Sequence, residues 1–258
     1  MKTLFGFTIV FTIILIVCAV FTSPGLAQNQ PSPQSRQVSR MSDIEVKSGM
    51  GNEFEAFLKN SLVPALKKGG VTDFGVWKTA SFGKAGNYLI TTTIPSLTEL
   101  DNPSPLIKAV GQDGAIAIST RMQELVASAR FFSYASQPDL AIPPPAGFVP
   151  KLVFEVKASI APGRDADYIK SAKPAIDVVK KTNVKGAYAI RVGLGGNPNE
   201  FREAILIDSF ADMERFGQAF AKAAIEAKLP PMNPDIVKSI EYSMFRYMPE
   251  LSIQAPTQ

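Results

Sequence analysis

The chain has 258 residues, of which 46% are hydrophobic and 19% charged, and its formal net charge is +4. It contains no His, which excludes a Ser-His-Asp triad, an imidazole base and His-ligated zinc, copper or haem. The single Cys, Cys18, lies in an apolar N-terminal run, and the basic residues are scattered along the chain. The sequence therefore predicts no metal centre, no bound cofactor and no nucleic-acid partner.

The first 27 residues follow the pattern of an export signal. An apolar run over 4–21 is followed by Gly25 and Ala27, the small residues typical of the positions before a cleavage site. We therefore expect a signal peptide, cleaved after Ala27, and a secreted or periplasmic protein. Membrane contact is expected only through this segment, as an anchor, if it stays uncleaved.

Two further segments divide the remaining chain. Residues 28–40 are rich in Gln, Pro, Ser and Arg with few apolar side chains, which predicts a disordered tether. Residues 141–150 contain three consecutive prolines, which favour an extended linker. The linker separates a first unit, 41–140, from a second unit, 151–254.

The two units are copies of one pattern. Glu45-Val46-Lys47 corresponds to Glu155-Val156-Lys157, and 138–142 (PDLAI) corresponds to 249–253 (PELSI) at nearly the same spacing. Collinear matches of this kind indicate an internal duplication of a domain of ~100 residues.

Each unit contains alternating strand and helix patterns. In the first unit we predict strands and helices in the order strand 41–48, helix 54–66, strands 74–81 and 87–94, a helical region opened by Ser96 and restarted by Ser104-Pro105 as far as Gly111, and strand 130–136. In the second unit the order is strand 151–160, helix 168–183, strands 186–192 and 201–207, a helix capped by Ser209, and strand 241–248. Each unit is thus β-α-β-β-α-β, the ferredoxin-like arrangement.

A four-stranded sheet with both helices on one face leaves its other face to be covered. A tandem copy supplies the cover in the same chain. In this respect the sequence resembles the dimeric α+β barrel superfamily, which includes antibiotic-biosynthesis-type monooxygenases and NIPSNAP-type proteins. The fold class predicted is therefore α+β, with two ferredoxin-like units packed sheet to sheet as an intrachain barrel. The resemblance implies a small apolar or aromatic ligand, and no haem, because the usual His ligand is missing.

Trp77 is the only Trp, and the duplication places Tyr188 at the equivalent position of the second unit. On central strands the pair would form two walls of an aromatic pocket with indole and phenol donors. The alternative interpretation is that both rings fill the core.

Other polar residues fall within the predicted strands of the sheets. Arg191 and Arg246 would clamp a carboxylate or enolate if they face the barrel interior, and Tyr88 would anchor a phenolic ligand. The alternatives are that the two arginines are solvated at the exposed edge of a sheet, and that Tyr88 is a buried tyrosine whose hydroxyl bonds to the backbone. The same strands carry Arg202 and Glu203. No catalytic residue is identified by a motif.

The glycine-rich segment 193–198 (GLGGNP) lacks the spacing of either common phosphate-binding motif, and it joins two strands. We interpret it as a hairpin loop. Two functions remain open. One is an exported small-molecule-binding protein or cofactor-free enzyme, monooxygenase- or isomerase-like, and the other is a non-enzymatic envelope protein that binds a partner. Pairing of two fused chains into a homodimer is possible in either case.

Overall fold

The computed structural model describes residues 38–253. The predicted signal peptide and residues 28–37 of the predicted tether lie outside this range, and the first strand begins at Val38. Eight strands are present in it: β1 (Val38–Val46), β2 (Phe74–Thr79), β3 (Asn87–Ile94), β4 (Val126–Ser136), β5 (Leu152–Ile160), β6 (Gly186–Val192), β7 (Glu200–Ile207) and β8 (Val237–Tyr247). The α-helices of the same range are α1 (Gly51–Phe57), α2 (Val63–Lys68), α3 (Pro105–Leu125), α4 (Asp165–Val179) and α5 (Phe210–Glu226).

The strands form one closed barrel in the order β1-β3-β2-β8-β5-β7-β6-β4. Within each unit the order is that of a ferredoxin-like sheet, β4-β1-β3-β2 and β8-β5-β7-β6. The units join at two seams, where β2 pairs with β8 and β4 pairs with β6, both antiparallel. The predicted α+β barrel of two tandem units is confirmed. Pairing of the sheet edges at the two seams closes the barrel, so no edge strand of the barrel is left with unpaired backbone N–H and C=O groups.

Alternation along each strand separates two environments. On β1, Ile44 and Val46 pack against the helices of the first unit together with Phe54 and Leu125. Their neighbour Asp43 points the other way, into the barrel. The second unit has a corresponding core between its sheet and helices, which includes Leu152, Ile176, Ile205 and Met244. Helices therefore cover the outer faces, and the inner faces of both sheets enclose the barrel interior.

The helix starts differ in part from the prediction. Ser209 caps α5 as expected, with its Oγ accepting a hydrogen bond from the Asp212 N–H at 3.1 Å. Ser96 instead precedes a short 3-10 turn without a side-chain cap, and the cap of α3 is Ser104. Gly111 does not end α3 but kinks it with a positive φ of 74°. Glycine adopts this angle without steric cost, so the helix resumes after the kink.

The loop between β6 and β7 is a hairpin connection, as its composition predicts. It also extends the β4–β6 seam, since the Gly193 N–H donates to the Ser133 carbonyl at 2.7 Å and the Ser133 N–H donates to the Leu194 carbonyl at 2.9 Å. A Cβ atom on Gly195 would lie 2.3 Å from the Phe131 carbonyl oxygen. The glycines thus let the loop approach the backbone of the neighbouring unit. No helix of residues 38–253 is long and apolar enough to cross a membrane.

Candidate functional site: the barrel interior

The barrel encloses a cavity of about 370 Å³, which we call the interior cavity. Trp77 on β2 and Tyr188 on β6 both line it. Because β2 and β6 are four strands apart in a closed barrel of eight, the two rings stand on opposite walls. Its lining also includes the apolar side chains of Met41, Leu89, Val153, Ile190, Leu206 and Phe245. This is the arrangement of an aromatic pocket with a donor on each wall, an indole N–H and a phenol O–H.

One end of the interior cavity is bounded by the proline-rich linker. Pro144, Phe148 and Pro150 contribute to its lining. Phe148 is half-buried, whereas its neighbour Val149 is 48% exposed. The linker therefore covers the barrel end in addition to joining the two units. Tyr188, 41% exposed, leaves this end within reach of solvent.

The opposite end of the barrel holds a second cavity of about 470 Å³, which we call the charged mouth. Its lining includes Asp43, Lys84, Asn87, Lys157 and Glu241. Four residues line both cavities, and we call them the waist: Leu89, Glu155, Arg202 and Phe245. A molecule in the interior cavity would therefore meet the Glu155 and Arg202 side chains at its inner end.

Arg202 is the centre of a charged cluster at the waist. Its Nη1 and Nη2 donate to the Asp43 carboxylate at 2.9 and 2.6 Å, and its Nε donates to Glu200 at 2.8 Å. Arg130 bridges the same two carboxylates, with Nη2 2.7 Å from Asp43 Oδ2 and Nη1 3.1 Å from Glu200 Oε2. Both guanidinium groups lie over the ring of Phe132, at 4.9 and 4.8 Å. Every charge in this group of four has an opposite partner. Removal of one member would leave the remaining buried charges with fewer opposite charges, which is costly.

The pKa values in the cluster follow from this pairing. Burial alone would raise the pKa of Asp43 and Glu200, but the hydrogen bonds and charges of Arg202 and Arg130 outweigh it and lower both. Burial opposes the charged form of Arg202, yet Asp43, Glu155 and Glu200 raise its pKa. All four groups of the cluster are therefore ionised at neutral pH.

The environment of Glu155 differs from that of these four groups. It is 7% exposed, and within residues 38–253 its carboxyl group makes one hydrogen bond, a long one of 3.4 Å from Arg202 Nη1. Burial raises the pKa of Glu155; Arg202 and Lys157 oppose the shift and Asp43 adds to it. The raised pKa widens the pH range in which the Glu155 carboxyl group, at the inner end of the interior cavity, is neutral.

Three of the residues nominated from the sequence lie outside the interior cavity. The Tyr88 ring packs against Phe54 on the helical face, and its hydroxyl donates to Glu55 at 2.7 Å. Arg191 forms an ion pair with Asp165 at the start of α4. Arg246 is exposed beside Lys78 at the β2–β8 seam. The structure therefore brings together Trp77 and Tyr188 but not the proposed arginine clamp.

The sequence singled out Arg202 only as a polar residue of a strand, and it predicted neither the partners of Arg202 in the charged cluster nor a role for Glu155. A signal for Glu155 exists in β5, where the apolar Leu152, Phe154 and Val156 alternate with Val153, Glu155 and Lys157. The apolar set of such a strand faces the helices, so the other set faces the barrel. Within residues 38–253, no group of three or more His, Cys, Asp or Glu side chains is arranged to hold a metal ion.

No protein-family model matches the chain, and no curated protein matches its sequence. Solved structures share its fold at low identity. A provisionally assigned monooxygenase from Lactobacillus acidophilus is 10% identical, with 82% of this chain and 93% of that chain covered at a TM-score of 0.52. A provisionally assigned monooxygenase from Fusobacterium nucleatum is 9% identical, with coverages of 86% and 95% and a TM-score of 0.55.

An anthrone oxidase-like protein is 8% identical, with 82% of this chain and 91% of that chain covered at a TM-score of 0.54. The fold shared with these structures is an α+β barrel, which this chain builds from its two ferredoxin-like units. At these identities the likeness concerns the fold alone.

Proposed function

We propose that this protein binds a small, mainly apolar or aromatic molecule in the interior cavity. The observation that carries the proposal is the position of Trp77 and Tyr188 on opposite walls of one cavity. A volume of about 370 Å³ lies within the usual range for small-molecule sites, which are mostly apolar with a few placed polar groups. Two rings about a flat ligand would supply stacking on both of its faces.

A monooxygenase-like or isomerase-like reaction is the activity we propose for such a ligand. Support comes from the descriptions of three proteins with this fold, two as monooxygenases and one as anthrone oxidase-like. The groups that would act on a substrate in the interior cavity are Glu155, Arg202 and Tyr188, as a proton carrier, a fixed positive charge and a phenol donor.

The single Trp of the chain makes the binding proposal directly testable, because its emission reports on the interior cavity. We expect acetylnaphthalene to quench Trp77 emission in the wild-type protein. Ala204→Phe, which places a ring inside the interior cavity, should abolish the quenching, whereas Ala135→Phe on the exposed face of β4 should leave it unchanged. Absence of quenching in the wild type, together with no co-purified small molecule by native mass spectrometry, would contradict the proposal.

We also propose that the protein works outside the cytoplasm, secreted or periplasmic, on the strength of the N-terminal pattern over residues 1–27. Full-length protein expressed with its native leader should give a mature chain that begins at Gln28. N-terminal sequencing of the exported fraction tests this. A chain recovered intact with Met1 in the membrane fraction would favour an uncleaved anchor instead.

An outer groove favours partner binding as the second candidate function. Phe82 and Tyr242, 63% and 59% exposed, border a groove of about 530 Å³ beside Phe210 at the start of α5. Exposed aromatic clusters of this kind are typical of protein interfaces. If a second copy covers the groove, the double variant Phe82→Ser with Tyr242→Ser should convert a dimer to a monomer in light scattering, and Ile225→Ser, 78% exposed elsewhere, should not. A monomeric wild type would contradict self-association.

A further inference from the structure

We infer that Glu155 is the specificity-determining group of the interior cavity: as a neutral carboxyl it donates a hydrogen bond to an uncharged acceptor oxygen of the ligand. The inference rests on the proposed function, since it names the chemistry of the molecule that the interior cavity would take. That molecule carries a carbonyl or ether oxygen on an apolar body, and it is not a carboxylate.

The position of Glu155 gives it access to a ligand. It lies on β5 opposite Ala204 of β7 and Ser243 of β8, and it lines both the interior cavity and the charged mouth. Ala204 leaves space beside it that a larger side chain would fill. A ligand seated between Trp77 and Tyr188 would therefore present its inner end to this carboxyl group.

Burial raises the pKa of Glu155, and the surrounding charges do not cancel the shift, because Asp43 adds to it while Arg202 and Lys157 oppose it. The two guanidinium groups of the cluster, Arg130 and Arg202, are matched by two carboxylates, Asp43 and Glu200. An ionised Glu155 would be a third carboxylate in the same enclosed space, and a buried charge without a partner of its own is costly. Protonation removes that cost and supplies an O–H donor.

The two lysines that line the charged mouth are already paired with other carboxylates. Lys157, on the same face of β5, is 2.6 Å from Glu241 of β8. Lys84, in the loop before β3, is 2.5 Å from Glu45 of β1. Within residues 38–253, the cation paired with Glu155 is therefore Arg202, whose Nη1 lies 3.4 Å away and also binds Asp43.

The same accounting disfavours an anionic ligand. Arg202 uses all three of its nitrogens on carboxylates, through Nε to Glu200, through both Nη atoms to Asp43 and through Nη1 to Glu155. A ligand carboxylate would have to displace Asp43 or Glu200, or enter without a positive partner. A neutral acceptor needs only the proton that Glu155 already carries, and that proton stays on Glu155 in the complex.

Three probes of matched shape test the inference: acetylnaphthalene, ethylnaphthalene and naphthoate, all substituted at the same ring position. By calorimetric titration at pH 6 we expect acetylnaphthalene to bind the wild type about tenfold more tightly than ethylnaphthalene, the effect of one well-placed hydrogen bond. Naphthoate should bind more weakly than either. As the pH rises through the pKa of Glu155, the advantage of acetylnaphthalene should shrink.

Two substitutions separate donor from charge. Glu155→Gln keeps a neutral donor, so it should retain the preference for acetylnaphthalene and lose its pH dependence. Glu155→Leu should abolish the preference, so that acetylnaphthalene and ethylnaphthalene bind with equal affinity. Glu203→Gln is the matched control, because Glu203 is a second carboxyl group whose pKa is raised by burial, but it bonds to Tyr168 on the helical side.

The outcomes distinguish the two proposals. Equal affinities for acetylnaphthalene and ethylnaphthalene, or a preference that survives in Glu155→Leu, would overturn the role of Glu155 and leave the interior cavity as a binding site. Failure of all three probes to bind would overturn both. Infrared spectra give an independent readout, because a protonated-carboxyl band present in the wild type and absent in Glu155→Gln supports the neutral state, and its absence from the wild type contradicts it.

Discussion

Arg202 on β7 and Asp43 on β1 join the two units of the barrel through two hydrogen bonds, 2.9 Å from Nη1 to Oδ1 and 2.6 Å from Nη2 to Oδ2. The arginine side chain is 4% exposed, so this paired contact lies in the barrel interior and not at its rim. The two units are therefore joined inside the barrel as well as at the seams, by a contact between one residue of each unit.

We predict that Arg202→Met is strongly destabilising. Removal of the guanidinium leaves Asp43 and Glu200 with Arg130 alone, and breaking a buried ion pair in this way costs about 3–5 kcal/mol. The measurement is the free energy of unfolding from urea denaturation. Arg191→Met is the control, because its ion pair with Asp165 is partly exposed and should contribute under ~1 kcal/mol. Similar losses of unfolding free energy in both variants would show that the buried cluster stabilises the protein no more than a partly exposed ion pair does.

The stability of the protein should depend on pH through Glu155, with a definite sign. Because the pKa of Glu155 is raised in the folded chain above its usual 4.5, folding favours the protonated form, and stability falls as pH rises from that value towards the folded pKa. Asp43 and Glu200 have the opposite sign, since their pKa values are lowered and their contribution is lost as the solution becomes acidic.

Glu155→Gln isolates the first effect. We expect the variant to melt at a higher temperature than the wild type near pH 8, with each ~1 kcal/mol gained worth about 2–4 °C, and the difference to vanish near pH 4. Glu241→Gln, an exposed carboxylate paired with Lys157, should show no such trend. A lower melting temperature for Glu155→Gln at every pH would mean that the ionised carboxylate is the stabilising form.

The duplication explains why the fold and the opposite placement of the two aromatic residues were predictable from the sequence. Two copies of one strand-helix pattern determine the order of the strands, and equivalent positions in the copies must lie on opposite sides of the barrel. That rule places Trp77 and Tyr188 on opposite strands of the barrel, but it does not show whether the two rings face the interior or the helices. The strand bounds differ from the predicted ones mainly at β4 and β8, which begin four residues earlier than expected, at Val126 and Val237.

The arginine clamp did not follow from the same reasoning. Arg191 is three residues from Tyr188 on β6, so alternation places the two side chains on opposite faces, but both faces of the strand carry apolar residues and the pattern does not show which one is the interior. The Arg202 partner Asp43 comes from β1, a strand of the other unit, and their contact depends on how the barrel closes. A pattern local to one strand carries no information about that closure.

Tyr88 provides a test of the helical face. Tyr88→Phe should leave acetylnaphthalene binding unchanged, because the hydroxyl bonds to Glu55 outside the interior cavity. Its loss should cost about 1 kcal/mol of unfolding free energy, since Glu55 keeps its 2.6 Å ion pair with Lys78. Tyr188→Ala, by contrast, should weaken probe binding about tenfold, the equivalent of ~1.4 kcal/mol. Reversed effects of the two substitutions would indicate that the ligand binds at the helical face and not in the barrel interior.

Phe148 should control access to the interior cavity from the linker end. Phe148→Ala removes a half-buried ring from the lining and should let acrylamide quench Trp77 more efficiently, at a cost of about 1 kcal/mol in unfolding free energy. Probe dissociation should become faster for the same reason. Val149→Ala changes the adjacent exposed side chain and should alter neither rate nor quenching. If Phe148→Ala quenches like the wild type, solvent reaches Trp77 by another route, and the linker serves only to connect the two units.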